Sequence, residues 1–373
     1  MTDEHRLSPL VLSFDYPPND GGISRLALGL VQEMIAAGRV PDVVTLDPAG
    51  AEGLARPDCP HREVPARRGP REWALLRLLW RQPRNRPVLC MVWNPEATMA
   101  LLAGRRRVSV WAHGNEVMPY RGRRLRGWLR RQVLERAHVV VCNSTFTQSL
   151  VAAIAPQAHT VVVNPAVDAA QFHSDMDRMA ARDALGLPQD RRIVLTVSRL
   201  DPMKGHETVL RAIAALPPDQ QAQLCYVIVG KGPARQAIEA CARAMGVADR
   251  VRFEGFVSDD RLPHYYAAAD LFTLCSVVDH DRSSLEGFGM VFTEAQAAGL
   301  PVIGTRSGGI VDAIREGEGG WLIEERDAGA LALHLGALVA DPAAYRAQGA
   351  RGRARVLREM TWRGYADRVR DVI

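Results

Sequence analysis

Short apolar runs rich in β-branched residues recur along the chain and alternate with stretches of helical periodicity. Continuously apolar strands that alternate with helices are typical of parallel sheets with helices on both faces. The pattern predicts an α/β fold with six strands in the first half and five in the second. The predicted strands are 9–14, 42–46, 88–93, 108–113, 138–143, 160–164, 192–198, 224–230, 250–256, 269–275 and 301–305.

The length of 373 residues predicts two domains. A polar, helix-like stretch follows the sixth predicted strand, and the boundary is predicted at about residues 170–190. Each half opens with a strand, a glycine-containing loop and a helix, as in Rossmann-like domains. Two such domains face to face would form a cleft at the carboxyl ends of both sheets, where α/β folds bind ligands.

Charge distinguishes the two halves. The net charge is +5, but residues 1–170 carry 22 arginines against 15 acids, so the basic excess belongs to the first half. Lysine occurs only at positions 204 and 231, which makes both positions candidates for a compact point charge. The six cysteines are scattered and predict free thiols. An acidic start and the absence of a long apolar run predict a cytoplasmic protein.

Two loops carry candidate anion-binding groups. Gly21-Gly22 precedes a predicted helix, where exposed backbone N–H groups favour an anion, although a tight turn explains the pair equally simply. The loop Ser198–Gly205 contains Arg199 and Lys204. These two cations could clamp a diphosphate, and the alternative is a solvated loop with incidental charges.

A third segment places two acids around a glycine turn that opens a helix. Glu286 precedes Gly287-Phe288-Gly289, and Glu294 follows eight residues after Glu286. This spacing could hold a nucleotide sugar lengthwise, whereas an amphipathic helix with two exposed acids is the simpler interpretation. His113, at the end of a predicted strand, could contact the same ligand or could be structural.

Together these segments resemble the retaining glycosyltransferases of family 4, which have the GT-B fold. The resemblance covers nearly the whole chain, and its most specific motifs are the acid pair and the SRL-x3-KG loop. It implies two Rossmann-like domains, residues 1–170 for the acceptor and 171–355 for the nucleotide sugar, facing across a deep cleft. It also implies that a C-terminal helix, 356–373, returns to the first domain. The matching segments run in order: PPNDGG, HGNE, NSTFT, NPAVDAAQF, VSRLDPMKG, VGKGP, EGFVSDDRLPHYYAAADLF and EGFGMVFTEAQAAGLPVIGT.

The resemblance implies roles for individual residues. Arg199 and Lys204 would bind the diphosphate, Glu286 would bind hydroxyls of the transferred sugar, and Glu294 would bind the ribose. The catalytic set would then be His113, Arg199, Lys204 and Glu286. The other donor contacts implied are Gly21, Gly22, Val257 beside the base, and the backbone of Gly287, Phe288, Gly289 and Met290.

The implied reaction transfers a hexose with retained anomeric configuration, and the leaving diphosphate helps to deprotonate the acceptor. Basic groups and helix N-termini would stabilise the developing charge, so no cofactor and no divalent metal is expected. Two D-x-D strings, 175–177 and 279–281, would hold a metal in a different transferase fold. Their positions do not favour that role here.

Donor and acceptor are the least determined features. The form EGFGMVF resembles that of GDP-mannose-dependent α-mannosyltransferases of the phosphatidylinositol mannosyltransferase type. The resemblance implies mannose transfer to a glycan or lipid-linked acceptor in cell-envelope glycolipid or polysaccharide synthesis. UDP-glucose and UDP-N-acetylglucosamine remain alternatives, as does a non-catalytic nucleotide-sugar sensor. An epimerase and a nicotinamide-dependent oxidoreductase are disfavoured, the latter because its glycine motif is incomplete after residue 232.

Segment 121–136 holds seven arginines and one acid. Its apolar residues, Leu125, Trp128, Leu129 and Val133, share one face of a predicted helix. That face could lie on the anionic inner surface of the plasma membrane, or it could pack into the core with the arginines solvated. Nucleic acid is not expected, because no binding module is recognisable. The residues predicted to contact the membrane are Arg123, Arg124, Arg126, Trp128, Arg130 and Arg131.

Overall fold

The computed structural model describes residues 8–19, 21–47, 53–119, 124–279 and 284–373. The chain divides into two units. Unit 1 contains the residues up to Ala166 together with Trp362–Ile373, and unit 2 is Val167–Thr361.

Unit 1 is built on a parallel sheet that has seven strands in the described residues, in the order β3-β2-β1-β4-β5-β6-β7. Four of its inner strands, β1, β4, β5 and β6, are buried throughout, as expected for a sheet covered on both faces. The elements are β1 Leu10–Leu12, α1 Gly22–Ala36, β2 Asp42–Leu46, β3 His61–Val64, α2 Pro70–Trp80, β4 Val88–Cys90, a π-helical turn Trp93–Ala97, α3 Thr98–Leu102, β5 Val108–Ala112, a 3-10 turn Asn115–Val117, α4 Arg124–Arg136, β6 Val139–Cys142, α5 Thr145–Ile154 and β7 Thr160–Val162.

Unit 2 repeats this architecture with a parallel sheet of six strands in the described residues, in the order β10-β9-β8-β11-β12-β13. Its elements are α6 Arg178–Leu185, β8 Arg192–Val197, a 3-10 turn Pro202–Lys204, α7 His206–Ala214, α8 Pro218–Ala222, β9 Leu224–Val229, α9 Arg235–Ala244, a 3-10 turn Ala248–Arg250, β10 Val251–Gly255, α10 Leu262–Ala268, β11 Leu271–Leu274, α11 Met290–Ala297, β12 Val302–Thr305, α12 Ile310–Ala313, β13 Gly320–Ile323, α13 Ala328–Ala340 and α14 Pro342–Glu359.

The last helix, α15 (Trp362–Arg370), belongs to unit 1. Tyr365 is fully buried there and accepts a hydrogen bond from the indole N–H of Trp111 at 2.8 Å. A Cβ at Gly29 of α1 would overlap the ring of Trp362. This glycine therefore lets α15 pack closely on α1, and the C-terminal residues complete the core of unit 1.

All eleven predicted strands are present, which confirms the α/β fold class. The pattern did not predict the edge strands β3 and β13. His61–Val64 is mostly polar and lies at the edge of its sheet, where a continuous apolar run is not required. Gly320–Ile323 has only four residues and begins with glycine, so it resembles a loop.

Candidate active site

The loop after β8 brings Lys204 to the carboxyl end of the second sheet. A short turn, Pro202–Lys204, is followed by Gly205, which has φ 68°. A Cβ at Gly205 would overlap the carbonyl oxygen of Cys275, just beyond β11. Because only glycine allows this approach and this dihedral angle, the backbone fixes the position of the lysine.

Four hydrogen bonds connect the start of this loop to the interior of the sheet. The Thr196 hydroxyl donates to the carbonyl of Thr273, and the Tyr226 hydroxyl donates to Thr196. His206 therefore donates from Nδ1 to Tyr226, 3.0 Å away, and accepts at Nε2 from Ser198, 3.2 Å away. Burial, and then the charge of Lys204, lowers the pKa of His206 to about 4, so the ring is neutral at pH 7.

Lys204 and Glu286 form an ion pair in which Nζ and Oε2 are 2.6 Å apart. Both side chains are largely buried, with 17% and 18% of their surface exposed. The carbonyl of Glu286 accepts the N–H of Gly309 at 2.8 Å and closely contacts Gly308. Loops that follow three neighbouring strands, β8, β11 and β12, thus bring together two of the charged residues singled out in the sequence.

The turn after Glu286 leads directly into α11. Phe288 is buried in the core of unit 2, which anchors the turn. Gly289 has φ 87°, a backbone conformation that favours glycine. The helix begins at Met290, so its unpaired N–H groups lie next to the turn, as the sequence predicts.

Glu294 lies on α11 and is oriented by a tyrosine. The hydroxyl of Tyr266 donates to Oε2 of Glu294 at 3.0 Å. Tyr266 is fully buried, and burial, reinforced by the carboxylate, raises its pKa well above the usual value. It is therefore a permanent donor that holds the acid in one orientation.

The remaining predicted donor residues of unit 2 are more exposed. The guanidinium of Arg199 is 79% exposed and donates to Asp201 at 2.9 Å. Val257 is half-buried directly after β10. Its neighbour Phe256 is 68% exposed, and the ammonium of Lys231 lies 5.5 Å from the centre of its ring. The second lysine therefore belongs to the loops beyond β9 and β10.

In unit 1, the glycine pair lies where the sequence predicts. Gly21 is the N-cap of α1, and a Cβ there would lie 3.4 Å from a carboxylate oxygen of Asp15. A Cβ at Gly22 would meet nothing within 4 Å, so the space beside this helix terminus is open. Burial raises the pKa of Asp15, and the nearby His113 opposes the shift.

The orientation of His113 is set by backbone contacts. Its Nε2 lies 2.8 Å from the carbonyl of Met91, which can only accept, so Nε2 carries the proton. In the neutral ring Nδ1 is therefore the acceptor. The N–H of His113 donates to Glu116 at 2.6 Å, which fixes the backbone at the end of β5.

A buried acid, Glu96, connects the ends of β1 and β4. Its two carboxylate oxygens accept the N–H groups of Phe14 at 2.8 Å and Val92 at 2.9 Å. Burial raises the pKa of Glu96 to about 8, although the backbone N–H donors oppose the shift. Sequence reasoning missed Glu96, as it missed Asp15, His206 and Tyr266, because their partners are identified only once the fold is known.

The apolar residues that the sequence places on one face of α4 differ in burial along the helix. Leu125 and Trp128 are 79% and 59% exposed. Leu129 is half-buried, and Val133 lies in the core of unit 1. The apolar residues of α4 are thus divided between an exposed N-terminal half and a packed C-terminal half.

The assignment of Arg130 to an exposed basic face was wrong. This side chain is 2% exposed and donates to the carbonyls of Glu116 at 3.0 Å and Met118 at 2.7 Å. These two hydrogen bonds satisfy the buried guanidinium and hold it against the loop before α4. The other described arginines assigned to that face, Arg124, Arg126 and Arg131, are exposed, and Arg123 lies outside the described residues.

The D-x-D strings show no metal-binding arrangement in the described residues. Asp177 is the N-cap of α6 and accepts the N–H of Ala180 at 2.8 Å. Asp279 forms a backbone bridge with Ser284, while Asp281 lies outside the described residues. Across the described part of the chain, no three His, Cys, Asp or Glu side chains cluster as metal ligands would.

The two parallel α/β units are those of the GT-B fold, and family profiles identify the chain as a glycosyltransferase. The profile of Glycosyltransferase Family 4 matches residues 20–171, and that of Glycosyl transferases group 1 matches residues 177–355. The chain belongs to this family.

Relatives and solved structures agree with this assignment. A GDP-mannose-dependent alpha-(1-6)-phosphatidylinositol monomannoside mannosyltransferase of Mycolicibacterium smegmatis is 30% identical over 98% of this chain and 97% of its own. A D-inositol 3-phosphate glycosyltransferase of Streptomyces scabiei is 36% identical over 47% of this chain and 40% of its own. Sucrose-phosphate synthase from Thermosynechococcus elongatus has the same fold, with a TM-score of 0.80 at 24% identity, over 98% of both chains.

Among the described helices, no single one is long and apolar enough to cross a membrane. By length and composition alone, α13 and α14 meet that criterion only as a pair, which is bent by 108° at its junction.

Proposed function

We propose that this glycosyltransferase transfers mannose from GDP-mannose to a glycan or lipid-linked acceptor, forming an alpha linkage with retention. The relatives from Mycolicibacterium smegmatis and Mycobacterium tuberculosis, at 30% and 34% identity, are described as GDP-mannose-dependent. The observation that carries the site assignment is the Lys204–Glu286 pair at the glycine turn before α11. Synthesis of a cell-envelope glycolipid or polysaccharide is the corresponding role.

The diphosphate of the donor binds Lys204 and Arg199. Lys204 supplies a point charge held by a rigid loop, and Arg199 supplies an exposed planar group that can bind two oxygens at once. The N–H groups at Gly287, Phe288, Gly289 and Met290 add the positive end of a helix dipole. Lys204 and these N–H groups are fixed in position before the reaction, which is the property that stabilises developing charge effectively.

The sugar and the ribose bind the two acids. Glu286 accepts from hydroxyls of the transferred mannose, and its pairing with Lys204 holds it beside the diphosphate site. Glu294 accepts from the ribose hydroxyls, with its orientation maintained by Tyr266. Val257 contacts the base through its backbone.

Three residues of unit 1 complete the proposed set of donor contacts. His113 contacts the C6 side of the sugar, and Nδ1 is the nitrogen available as an acceptor because Nε2 donates to Met91. Gly21 and Gly22 offer backbone N–H groups at the open terminus of α1.

Departure of the diphosphate is assisted by these cations and N–H groups, and the departing oxygen accepts the proton of the acceptor on the same face of the sugar. This mechanism needs no divalent metal, because the positive charge comes from the protein. We extend the proposal to association with an anionic membrane through the exposed part of α4, which presents Trp128 together with Arg124, Arg126 and Arg131.

Thermal stabilisation by nucleotide sugars in the presence of EDTA tests the donor. A ligand at about a hundredfold over its Kd adds about 2.7 kcal/mol to the free energy of unfolding. Selective stabilisation by GDP-mannose is expected. A shift with UDP-glucose or UDP-N-acetylglucosamine instead would refute the donor assignment, and a shift that disappears in EDTA would refute metal independence.

A UDP-sugar is the second candidate donor. It is favoured by the fold shared with Anabaena Alr3699/HepE, solved in complex with UDP, which has a TM-score of 0.81 at 20% identity over 98% of this chain and 99% of its own. Turnover of donor with an acceptor distinguishes either transferase from a nucleotide-sugar sensor.

A further inference from the structure

An open pocket of about 830 Å³ in unit 1 is lined by four arginines. It lies between the start of α2, the turn after β4 and the start of α4. We call it the arginine pocket and define it by Arg68, Arg71, Glu72, Trp93, Arg124 and Arg126. Glu72 is the one acid among the described lining residues, which together carry a net charge of +3.

Two of these arginines are held in place by neighbouring rings. Arg71 donates to Glu72 at 2.6 and 3.0 Å, and its guanidinium lies 5.2 Å from the centre of the Phe14 ring. The guanidinium of Arg126 lies 5.7 Å from the ring of Trp93. Trp93 is itself buried and donates to the carbonyl of Glu116 at 3.2 Å. Arginines ordered in this way lose little freedom when they bind an anion.

The other two arginines supply charge that the described part of the chain does not neutralise. Arg68 and Arg124 are exposed, and neither forms an ion pair with an acid among the described residues. Guanidinium groups match phosphate oxygens in geometry and bind them in pairs. The pocket thus combines fixed and adjustable arginines around one space.

One wall of the pocket is apolar. Met99, Leu125 and Leu129 line it, and Leu125 is 79% exposed. A free inorganic anion has no apolar part that could contact this wall, whereas the carbon groups of an organic phosphodiester would cover it. Trp93 of the pocket lies beyond the carboxyl end of β4, and Arg71 lies over the ring of Phe14, which follows the neighbouring strand β1. The pocket therefore lies near the carboxyl edge of the sheet, which also carries Asp15 and His113.

We propose that the arginine pocket binds a phosphodiester group of the sugar acceptor. This inference rests on the proposed function, because it assigns part of the acceptor of that reaction. The phosphodiester belongs either to a lipid headgroup or to a water-soluble ester, and both present the same group to the arginines.

The test uses full-length protein and two matched double variants. Arg68→Gln/Arg124→Gln removes the two arginines of the pocket that have no acidic partner among the described residues. Arg84→Gln/Arg106→Gln removes the same charge from exposed positions in the loops that precede β4 and β5, at the opposite edge of the sheet. Binding of glycerophosphoinositol, and of phosphatidylcholine vesicles containing phosphatidylinositol, is titrated at one fixed salt concentration.

The wild type should bind glycerophosphoinositol, and the pocket variant should bind it about tenfold or more weakly, because each lost contact to a charged group is worth about a factor of ten. The control variant should be unchanged. If the vesicles bind more tightly than glycerophosphoinositol, with the same dependence on Arg68 and Arg124, the phosphodiester belongs to a lipid. If the two bind equally, it belongs to a water-soluble ester.

Equal losses in both double variants would overturn the proposal, since they would reveal only general charge attraction. Binding of vesicles without binding of glycerophosphoinositol would overturn it as well. Stabilisation by GDP-mannose, measured on the same three proteins, reports the donor site separately. If GDP-mannose does not stabilise the wild type, the proposed donor is contradicted, whereas the result for the arginine pocket remains valid.

Discussion

Lys204 and Glu286 are 82 residues apart in sequence, yet Nζ and Oε2 are separated by 2.6 Å in the structure. The two loops that carry them follow β8 and β11, which are neighbours in the sheet. Each residue also neutralises the charge of the other in a largely buried environment. Removal of either one therefore alters both the ligand contacts and the position of the partner's side chain.

Lys204→Ala is expected to lower kcat/KM by two to three orders of magnitude, because one preorganised charge contributes about 3–4 kcal/mol to transition-state stabilisation. Steady-state kinetics with the donor identified by thermal stabilisation measures the loss. Lys231→Ala is the matched control, since its cation–π contact with Phe256 is worth about 1 kcal/mol or less. Equal losses in the two variants would contradict the role of Lys204.

Glu294→Ala should weaken binding of the nucleoside diphosphate while unfolding remains cooperative. Tyr266→Phe should weaken the same binding by a smaller factor, about fivefold to tenfold, because it removes only the hydrogen bond that orients Glu294. Tyr265→Phe is the control: its hydroxyl donates to Glu254 at 3.0 Å and not to Glu294. Calorimetric titration with GDP measures all three, and unchanged affinity in Glu294→Ala would refute the ribose assignment.

His206 should make the protein less stable as the pH falls from about 6.5 to 4. The folded state keeps the ring neutral down to pH 4, whereas the unfolded state takes up a proton near pH 6.5. The unfolded state therefore binds more protons in this window, and the cost reaches about 3 kcal/mol at its lower end. Above pH 6.5 both states are neutral, and the contribution disappears.

His206→Gln tests this effect, because an amide supplies a donor and an acceptor but does not titrate. Denaturant unfolding at a series of pH values should give a flatter profile for the variant below pH 6.5. Glu96, whose folded pKa is about 8, acts with the opposite sign, since it binds a proton in the folded state between about pH 4.5 and 8. It is present in both proteins, so the difference between them isolates His206. Parallel profiles would exclude a buried neutral histidine.

Most of the scaffold could be predicted from the sequence because its signals are local. Parallel strands covered on both faces are continuously apolar, and glycine marks the loops at 205 and 289, where φ is positive. The scarcity of lysine in this chain made Lys204 a candidate for a functional point charge. The edge strand β3 lacks the apolar signal, because most of its residues are polar.

The parts that could not be predicted depend on long-range contacts. Arg130 lies in an arginine-rich segment that resembles a solvated helix face. Only its contacts with the carbonyls of the loop 116–118 explain its burial. Tyr266 and Glu294 are 28 residues apart, and no sequence periodicity relates them. The same is true of Glu96 and Phe14, whose contact requires β1 and β4 to be neighbours in the sheet.

The exposed half of α4 leads to the last prediction. A tryptophan and a leucine that are more than half exposed, surrounded by arginines, would gain free energy by entering an anionic lipid surface. Leu125→Ser/Trp128→Ala should therefore reduce sedimentation with phosphatidylglycerol-containing vesicles by about tenfold or more, because each apolar side chain contributes on the order of 1–2 kcal/mol when buried. High salt should release the wild type, since the arginine contribution is screened.

Leu333→Ser is the matched control, because Leu333 is 78% exposed in unit 2 and belongs to a helix without this arginine cluster. It should leave sedimentation unchanged. Vesicles of phosphatidylcholine alone should bind weakly, because they offer no negative charge to Arg124, Arg126 and Arg131. Equal binding to neutral and anionic vesicles, or equal losses in the two variants, would exclude α4 as the membrane contact and leave its exposed tryptophan without a lipid role.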